Sequence, residues 1–207
     1  MNAGFSNLTK LKTQLLAPSL RPGIGYDDAL LALGLGVAAM FEKFCSRKFA
    51  RLADATFLAS ADRDHLYLDR PPIETITTLE LNSASNTFVA ITGSILNWEA
   101  ASGLVYFGTP LGQANETLRV TFSGGYFWDE TEDGNTPVPA GATVLPDDLQ
   151  LAWFLQCRAV WETLDKTGAK ITQVGSGADF VSGTLAGLDL SPQVEKMLAG
   201  YRRFQLA

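Results

Sequence analysis

YDDALLALGLGVAAMFEKFCSRK, the stretch from Tyr26 to Lys48, decides how the first part of the chain folds. Its apolar residues Leu30, Leu33, Val37, Met40, Phe41 and Phe44 recur at intervals of three and four. On an α-helix that spacing places them along one face. Asp27 and Asp28 open the stretch and Arg47 and Lys48 close it, the order of charge that the helix dipole favours. Gly34 and Gly36 each weaken a helix interior by about 1 kcal/mol relative to Ala, so another backbone is predicted to pack closely there. Upstream, Leu8, Leu11, Leu15 and Leu16 keep helical spacing until Pro18, which predicts a short first helix and then a turn over residues 18–25.

Downstream, from about Thr56 to Phe122, the period changes from helical to alternating. Leu66 and Leu68 alternate with His65, Tyr67 and Asp69, and Arg70-Pro71-Pro72 interrupts the chain before Ile73 to Leu81, rich in Thr and Ile. Further short strands are predicted at Thr87 to Ile91, Ser94 to Trp98, Leu104 to Phe107 and Thr117 to Phe122, with Gly, Asn and Ser turns between them. In the last of these, Leu118, Val120 and Phe122 share one face and Arg119, Thr121 and Ser123 the other. The expectation is a compact antiparallel sheet or small sandwich.

A long loop follows, opened by Gly124-Gly125-Tyr126-Phe127-Trp128, carrying Asp129, Glu130, Glu132 and Asp133, and ending at Pro137, Pro139 and Gly141. Pro146 at a first helical position, with Asp147 and Asp148 behind it, starts a helix predicted to reach Lys166 and close at Gly168. Its residues Leu149, Leu151, Trp153, Phe154, Leu155, Val160, Trp161 and Leu164 are apolar around most of the circumference, so burial within the fold or against a neighbouring subunit is predicted. Residues 169–187 are rich in Gly, Ser and Thr, a composition whose ordering costs too much entropy unaided, and they are expected to be a linker or an arm fixed on assembly. Ser191-Pro192 then caps a short amphipathic helix through Val194, Met197, Leu198 and Tyr201. These readings divide the chain into residues 1–55, 56–125, 126–145, 146–168 and 169–207.

Composition narrows the function. The chain of 207 residues is 46% hydrophobic, enough for a sizeable core, but only 18% charged, below the roughly 25% of ordinary soluble domains. A weakly charged surface suits extensive protein contacts. The net charge of −6 and pI near 4.8 argue against gripping phosphate backbones, because that affinity comes from Lys and Arg releasing counterions. Cys45 and Cys157 sit inside apolar helical patterns and read as buried thiols of a reducing compartment. Neither a signal-peptide core nor a span of about 20 apolar residues is present, so a soluble cytoplasmic protein with no membrane partner is expected.

Residues that could carry chemistry are few. The lone histidine, His65, has Asp62, Asp64 and Asp69 nearby, but strand alternation sends Asp64 and His65 to opposite faces. Gly34-Leu35-Gly36 falls within a helix and Gly175-Ser176-Gly177 is followed by no lysine, so neither is a phosphate loop. There is no nucleophile elbow of the G-x-S-x-G kind. A carboxylate pair drawn from 22 acids stays open. The acidic run 129–133 reads as a solvated loop, or more sharply as a rim that keeps DNA from sticking. Tyr126, Phe127 and Trp128, with nothing basic beside them, suit core or interface burial better than base stacking.

Taken in order, several motifs resemble the head-tail adaptor (connector) proteins of long-tailed double-stranded DNA bacteriophages, including prophage and gene-transfer-agent members. They are Asp27-Asp28-Ala29-Leu30-Leu31, Phe41-Glu42-Lys43-Phe44-Cys45-Ser46-Arg47, Leu68-Asp69-Arg70-Pro71-Pro72-Ile73 with Ile76-Thr77-Thr78-Leu79, Val120 to Tyr126, Leu145 to Ala152, and Leu190 to Val194 with Tyr201-Arg202-Arg203. The resemblance implies an α+β fold, a small helical bundle with an inserted antiparallel β-rich region. It implies a structural virion protein of the neck, assembled in the host cytoplasm as a ring, commonly of twelve copies, under the portal. Partners would be further copies, the portal protein and a stopper or tail-terminator protein, with DNA passing through unbound. No catalytic residue, cofactor or metal is implied. The C-terminal arm, with Leu188, Leu190, Val194, Tyr201, Arg202, Arg203 and Phe204, would reach the portal, and Asp129, Glu130, Glu132 and Asp133 would face the channel. Trp153, Phe154 and Trp161 are expected in helix packing or ring contacts. The rival expectations are another neck or tail-completion subunit and a small hydrolase using His65.

Overall fold

The apolar stripe of residues 26–48 forms helix α2, Asp27–Cys45, in the computed structural model, which describes residues 7–82, 87–91, 97–128, 137–166 and 189–203. The helix stops before Arg47 because Ser46 takes a left-handed conformation (φ 53°) and turns its N–H back to the carbonyls of Glu42 and Lys43. Arg47 and Lys48 are therefore not part of the last turn, contrary to expectation. Before it lies α1, Leu8–Leu15, capped by the Asn7 side chain, which accepts from the Lys10 N–H at 2.9 Å. After the strands come α3, Asp147–Lys166, and α4, Pro192–Leu198, continued by a 3-10 turn over Ala199–Tyr201. Ser191 caps α4 by accepting from the Val194 N–H. Helix α1 packs on α2 and α3, α2 on α3, and α3 on α4. Leu11, Leu30, Leu33, Phe41, Leu149, Trp153 and Leu198 are fully buried there. Each contributes on the order of 1.5–3 kcal/mol relative to exposure.

The strands are β1 (Leu52–Ser60), β2 (His65–Tyr67), β3 (Ile73–Asn82), β4 (Phe88–Ala90), β5 (Asn97–Glu99), β6 (Leu104–Tyr106), β7 (Thr117–Gly124), β8 (Tyr126–Phe127) and β9 (Thr143–Val144). They form a four-stranded antiparallel sheet in the order β1-β7-β3-β4, a three-stranded antiparallel sheet β2-β6-β5, and a parallel pair β8-β9. Strand β7 alternates as its sequence predicts, burying Leu118, Val120 and Phe122. Those side chains join Ala55, Leu66, Leu68, Ile73, Leu79, Val105 and Phe107 in one core. Strand β1 pairs on one side only among the described residues, and its edge is broken by a register shift between Leu52 and Ala55, where Asp54 takes a left-handed conformation (φ 53°).

The expectation allowed one sheet or a small sandwich; among the described residues the strands make three sheets, and the core draws on the two antiparallel ones. One expectation needs correction. The stretch 126–145, read as a loop, contributes β8 and β9, with Tyr126 opposite Thr143 and Phe127 opposite Val144. Two-residue strands are too short to leave a period in the sequence. Of the strand predicted at Ser94 to Trp98, the described part begins at Asn97 and continues to Glu99.

Outside the sheets, the segment 47–51 runs between two others. Lys48 N–H donates to the Asp69 carbonyl (2.8 Å), and Phe49 and Tyr126 exchange backbone contacts, Tyr126 N–H to Phe49 O at 2.7 Å and Arg51 N–H to Tyr126 O at 2.9 Å. The buried guanidinium of Arg47 donates to the Pro71 carbonyl and lies over the Phe49 and Tyr126 rings, and that of Arg70 donates to the Ala50 carbonyl. Gly125 permits this crossing, at φ 94°, where a Cβ would stand 2.6 Å from the Ala50 oxygen. The fold is thus mixed α+β, in two compact units with boundaries at Ser46/Arg47, Phe127/Trp128, Pro137/Val138 and Val144/Leu145. Among the described residues no helix is long and apolar enough to cross a membrane.

Candidate assembly surface

Trp153 lies at the centre of the helical unit. Its indole N–H donates to the Gly34 carbonyl at 3.0 Å, and its ring meets those of Trp128 (5.4 Å) and Phe154 (5.1 Å) edge-on. At Gly34, where the sequence predicts close packing of another backbone, the contact is this bond from the Trp153 side chain to the helix carbonyl. Phe154 and Trp161 are half-buried, Trp161 meeting Tyr26 edge-on at 6.3 Å. Within this chain helix α3 is buried on only part of the circumference that its apolar residues mark. Leu151 is 52% exposed, and Asp147, Arg158 and Glu162 are exposed with it. Arg158 pairs with Glu162 at 2.7 Å along that surface. Both cysteines are buried, and burial pushes the Cys157 thiol well above its ordinary range, so it stays protonated.

The C-terminal residues that the resemblance assigns to portal contact are seated on the chain's own helices. Gln156, buried on α3, accepts from the Ser191 N–H (3.0 Å) and donates to the Asp189 carbonyl (3.2 Å). Val194 and Leu198 are fully buried. The Cys45 thiol lies 3.7 Å from the Leu198 carbonyl, Arg203 N–H donates to the Cys45 carbonyl (2.9 Å), and Arg202 lies over the Phe44 ring. Tyr201 closes the set by donating to Asp148 at 2.7 Å. Leu190, Tyr201 and Arg203 are half-buried and Arg202 is exposed. Leu188, Phe204 and the acids Asp129, Glu130, Glu132 and Asp133 lie outside the described residues, as does the arm 169–187.

Opposite the buried stripe of α2, sequence reasoning passed over a second apolar surface. Leu31 (38% exposed), Leu35 (43%) and exposed Ala39 follow one another at i, i+4 spacing, with half-buried Ala32, Gly36 and Met40 alongside. No charged residue occurs from Ala29 to Phe41. Just before α2, the turn over residues 17–25 projects Ile24, 83% exposed, and Leu20. The signal was available, since these residues are what remains of an apolar helix once its core face has been assigned.

His65 and Asp64 meet after all, Nδ1 to Oδ1 at 2.6 Å, because Asp64 precedes the strand and escapes its alternation. Both are exposed, and the bond to His65 lowers the Asp64 carboxyl from its ordinary value. His65 also meets the Tyr67 ring edge-on. Among the described residues no three His, Cys, Asp or Glu side chains are placed to hold a metal.

No protein-family model and no curated protein matches the chain. Solved structures do. A chain from the virion of a native gene transfer agent particle is similar with a TM-score of 0.60 and 15% identity, covering 97% of this chain and 90% of its own length. A chain from the neck of an empty gene transfer agent particle computed with C6 symmetry matches with a TM-score of 0.55, 18% identity and coverage of 100% and 97%. A chain from the neck of the native particle computed with C12 symmetry matches with a TM-score of 0.51 at the same identity and coverage. This chain therefore shares its fold, along essentially its whole length, with chains of those particles.

Proposed function

We propose that this chain is a structural subunit of a virion neck, a head-tail adaptor that assembles into a ring, docks under a portal protein and extends the DNA channel towards a stopper or tail-terminator protein. Twelve copies is the number favoured by the C12 symmetry of one of the matched necks. In this reading the helices act as one small bundle that carries the β unit as an insertion. The observation that carries it is the full-length likeness of fold to chains from gene transfer agent virions and necks. The low charge fraction, the acidic balance and the uncharged outer face of α2 support it, since they suit contact with protein and let DNA pass unbound. No reaction is assigned to the chain, whose role is assembly.

The test is assembly of the pure chain with and without a portal protein, followed by negative-stain microscopy and mass photometry. Rings that appear on or with the portal are the expected outcome, and His65→Ala should assemble as well as the parent. Binding to tail-terminator protein alone would assign the chain to another neck position. Neither rings nor any neck partner would overturn the reading.

A further inference from the structure

We infer that the outer face of α2 is the seat for the next copy in the ring, and that the turn before α2 of that next copy, led by Ile24, is what sits on it. The inference rests on the ring reading above. A cyclic ring is built from heterologous contacts, in which one patch of a copy meets a different patch of its neighbour. The helical unit offers two such patches.

One projects. Ile24 and Leu20 stand on a turn fixed by Leu20 N–H to Ala17 O (2.9 Å), Gly23 N–H to Leu20 O (3.2 Å) and Asp27 N–H to Ile24 O (3.1 Å). Its one charge, Arg21, is half-buried and held back by donating to the Leu16 carbonyl at 3.2 Å. A turn ordered in advance loses little freedom on docking.

The other patch is flat. Leu31 and Leu35 lie one turn apart on α2, with half-buried Gly36 next to Leu35 in the chain. The α2 patch has no charge from Ala29 to Phe41, and the one charge of the turn, Arg21, already donates to a carbonyl of its own chain. An isoleucine left 83% in water on a rigid turn and a leucine face without charge are the two kinds of surface that gain most by covering each other.

The experiment uses the full chain. Leu35→Lys and Ile24→Asp should each reduce ring formation by about tenfold or more, as expected for central contact residues, with the circular-dichroism melt of the free chain unchanged. Because both native thiols are buried, Ile24→Cys and Leu35→Cys proteins can be mixed, assembled and oxidised. Disulfide-linked pairs should form in the mixture and not in either protein alone. Rings from the parent chain that persist undiminished with Leu35→Lys, or that give no mixed cross-link, overturn this contact while leaving the ring reading standing. Rings intact but binding to another neck protein lost would give the face to that protein and overturn the assignment to a second copy. A parent chain that forms no ring with any neck partner removes the contact together with the reading it rests on.

Discussion

The helical unit and the β unit are held together by different means. In the helices the backbone satisfies itself, so stability comes from apolar faces and polar groups matter chiefly at the ends: Asn7 and Ser191 as caps, Gln156 holding the chain at Asp189 and Ser191. In the β unit the segments 47–51 and 69–72 run outside the named strands, where their carbonyls need donors from elsewhere. Arginines supply two of them. Arg47 and Arg70 hold the Pro71 and Ala50 carbonyls, while Arg51 and Arg119 hold Glu74 and Glu80. What each unit leaves over differs accordingly. The helical unit leaves side-chain surface, the outer faces of α2 and α3. The β unit leaves backbone, the edge of β1 that has no partner strand among the described residues. Side-chain surface is the better basis for a contact selective for one partner, because an open strand edge pairs with many sequences.

The largest effects should come from the centres of these two arrangements. Trp153→Ala removes a fully buried indole and its bond to the Gly34 carbonyl, and should cost about 3–5 kcal/mol. Hydrogen exchange should show the loss of protection in α2 and α3. Protection unchanged there would mean that the helical unit does not depend on this core, which would break the contrast drawn above. Gly125→Ala should cost about 2–3 kcal/mol, since the added Cβ must displace the Ala50 carbonyl or shift φ from 94°. Its signature is faster exchange at the Arg51 and Tyr126 amides, both of which bond across the crossing.

Much of this was legible in the sequence, and the limit is physical. Helices α2 and α3 and strand β7 are long enough for their period to stand out, and of the residues that the spacing selects on α2, Leu30, Leu33, Val37 and Phe41 are buried while Met40 and Phe44 are half-buried. The pair β8-β9 was not legible, because two residues carry no period and the partner lies across a stretch of acidic and proline-rich chain. Nor were the roles of Arg47 and Arg70. A basic residue near a helix end, or before two prolines, gives no sign that it will be buried against a carbonyl distant in sequence. The contact of Asp64 with His65 was misjudged because alternation was applied one residue beyond the strand. For the assembly surface the core stripe was read and its complement, Leu31 and Leu35, was not. The seating of Val194 and Leu198 was visible only as amphipathicity, without its target.

The smallest effect expected is also the one that separates charge from packing in the β unit. The Glu80 carboxyl is held below its ordinary value of 4.5, first by its hydrogen bond from Arg119, at 2.6 Å, and then by the charge of that guanidinium, with burial opposing both. A carboxylate whose folded pKa is depressed stabilises the fold at pH above its unfolded value. That stabilisation fades as the pH falls through the folded value, where both states are protonated. Glu80→Gln should therefore be less stable than the parent by a constant margin at pH well above the ordinary carboxylate value, and the margin should close as the pH falls below that value and through the depressed one. It should also shrink in high salt, because the pair lies at the surface. Denaturant melts of both proteins across that range test this. A margin that holds at low pH would transfer the interaction to packing, since Arg119 also lies 3.9 Å over the Phe88 ring and Glu80 keeps its guanidinium there. In that case the arginines of the β unit would act as apolar stems as much as charges, and the contrast with the helical unit would narrow.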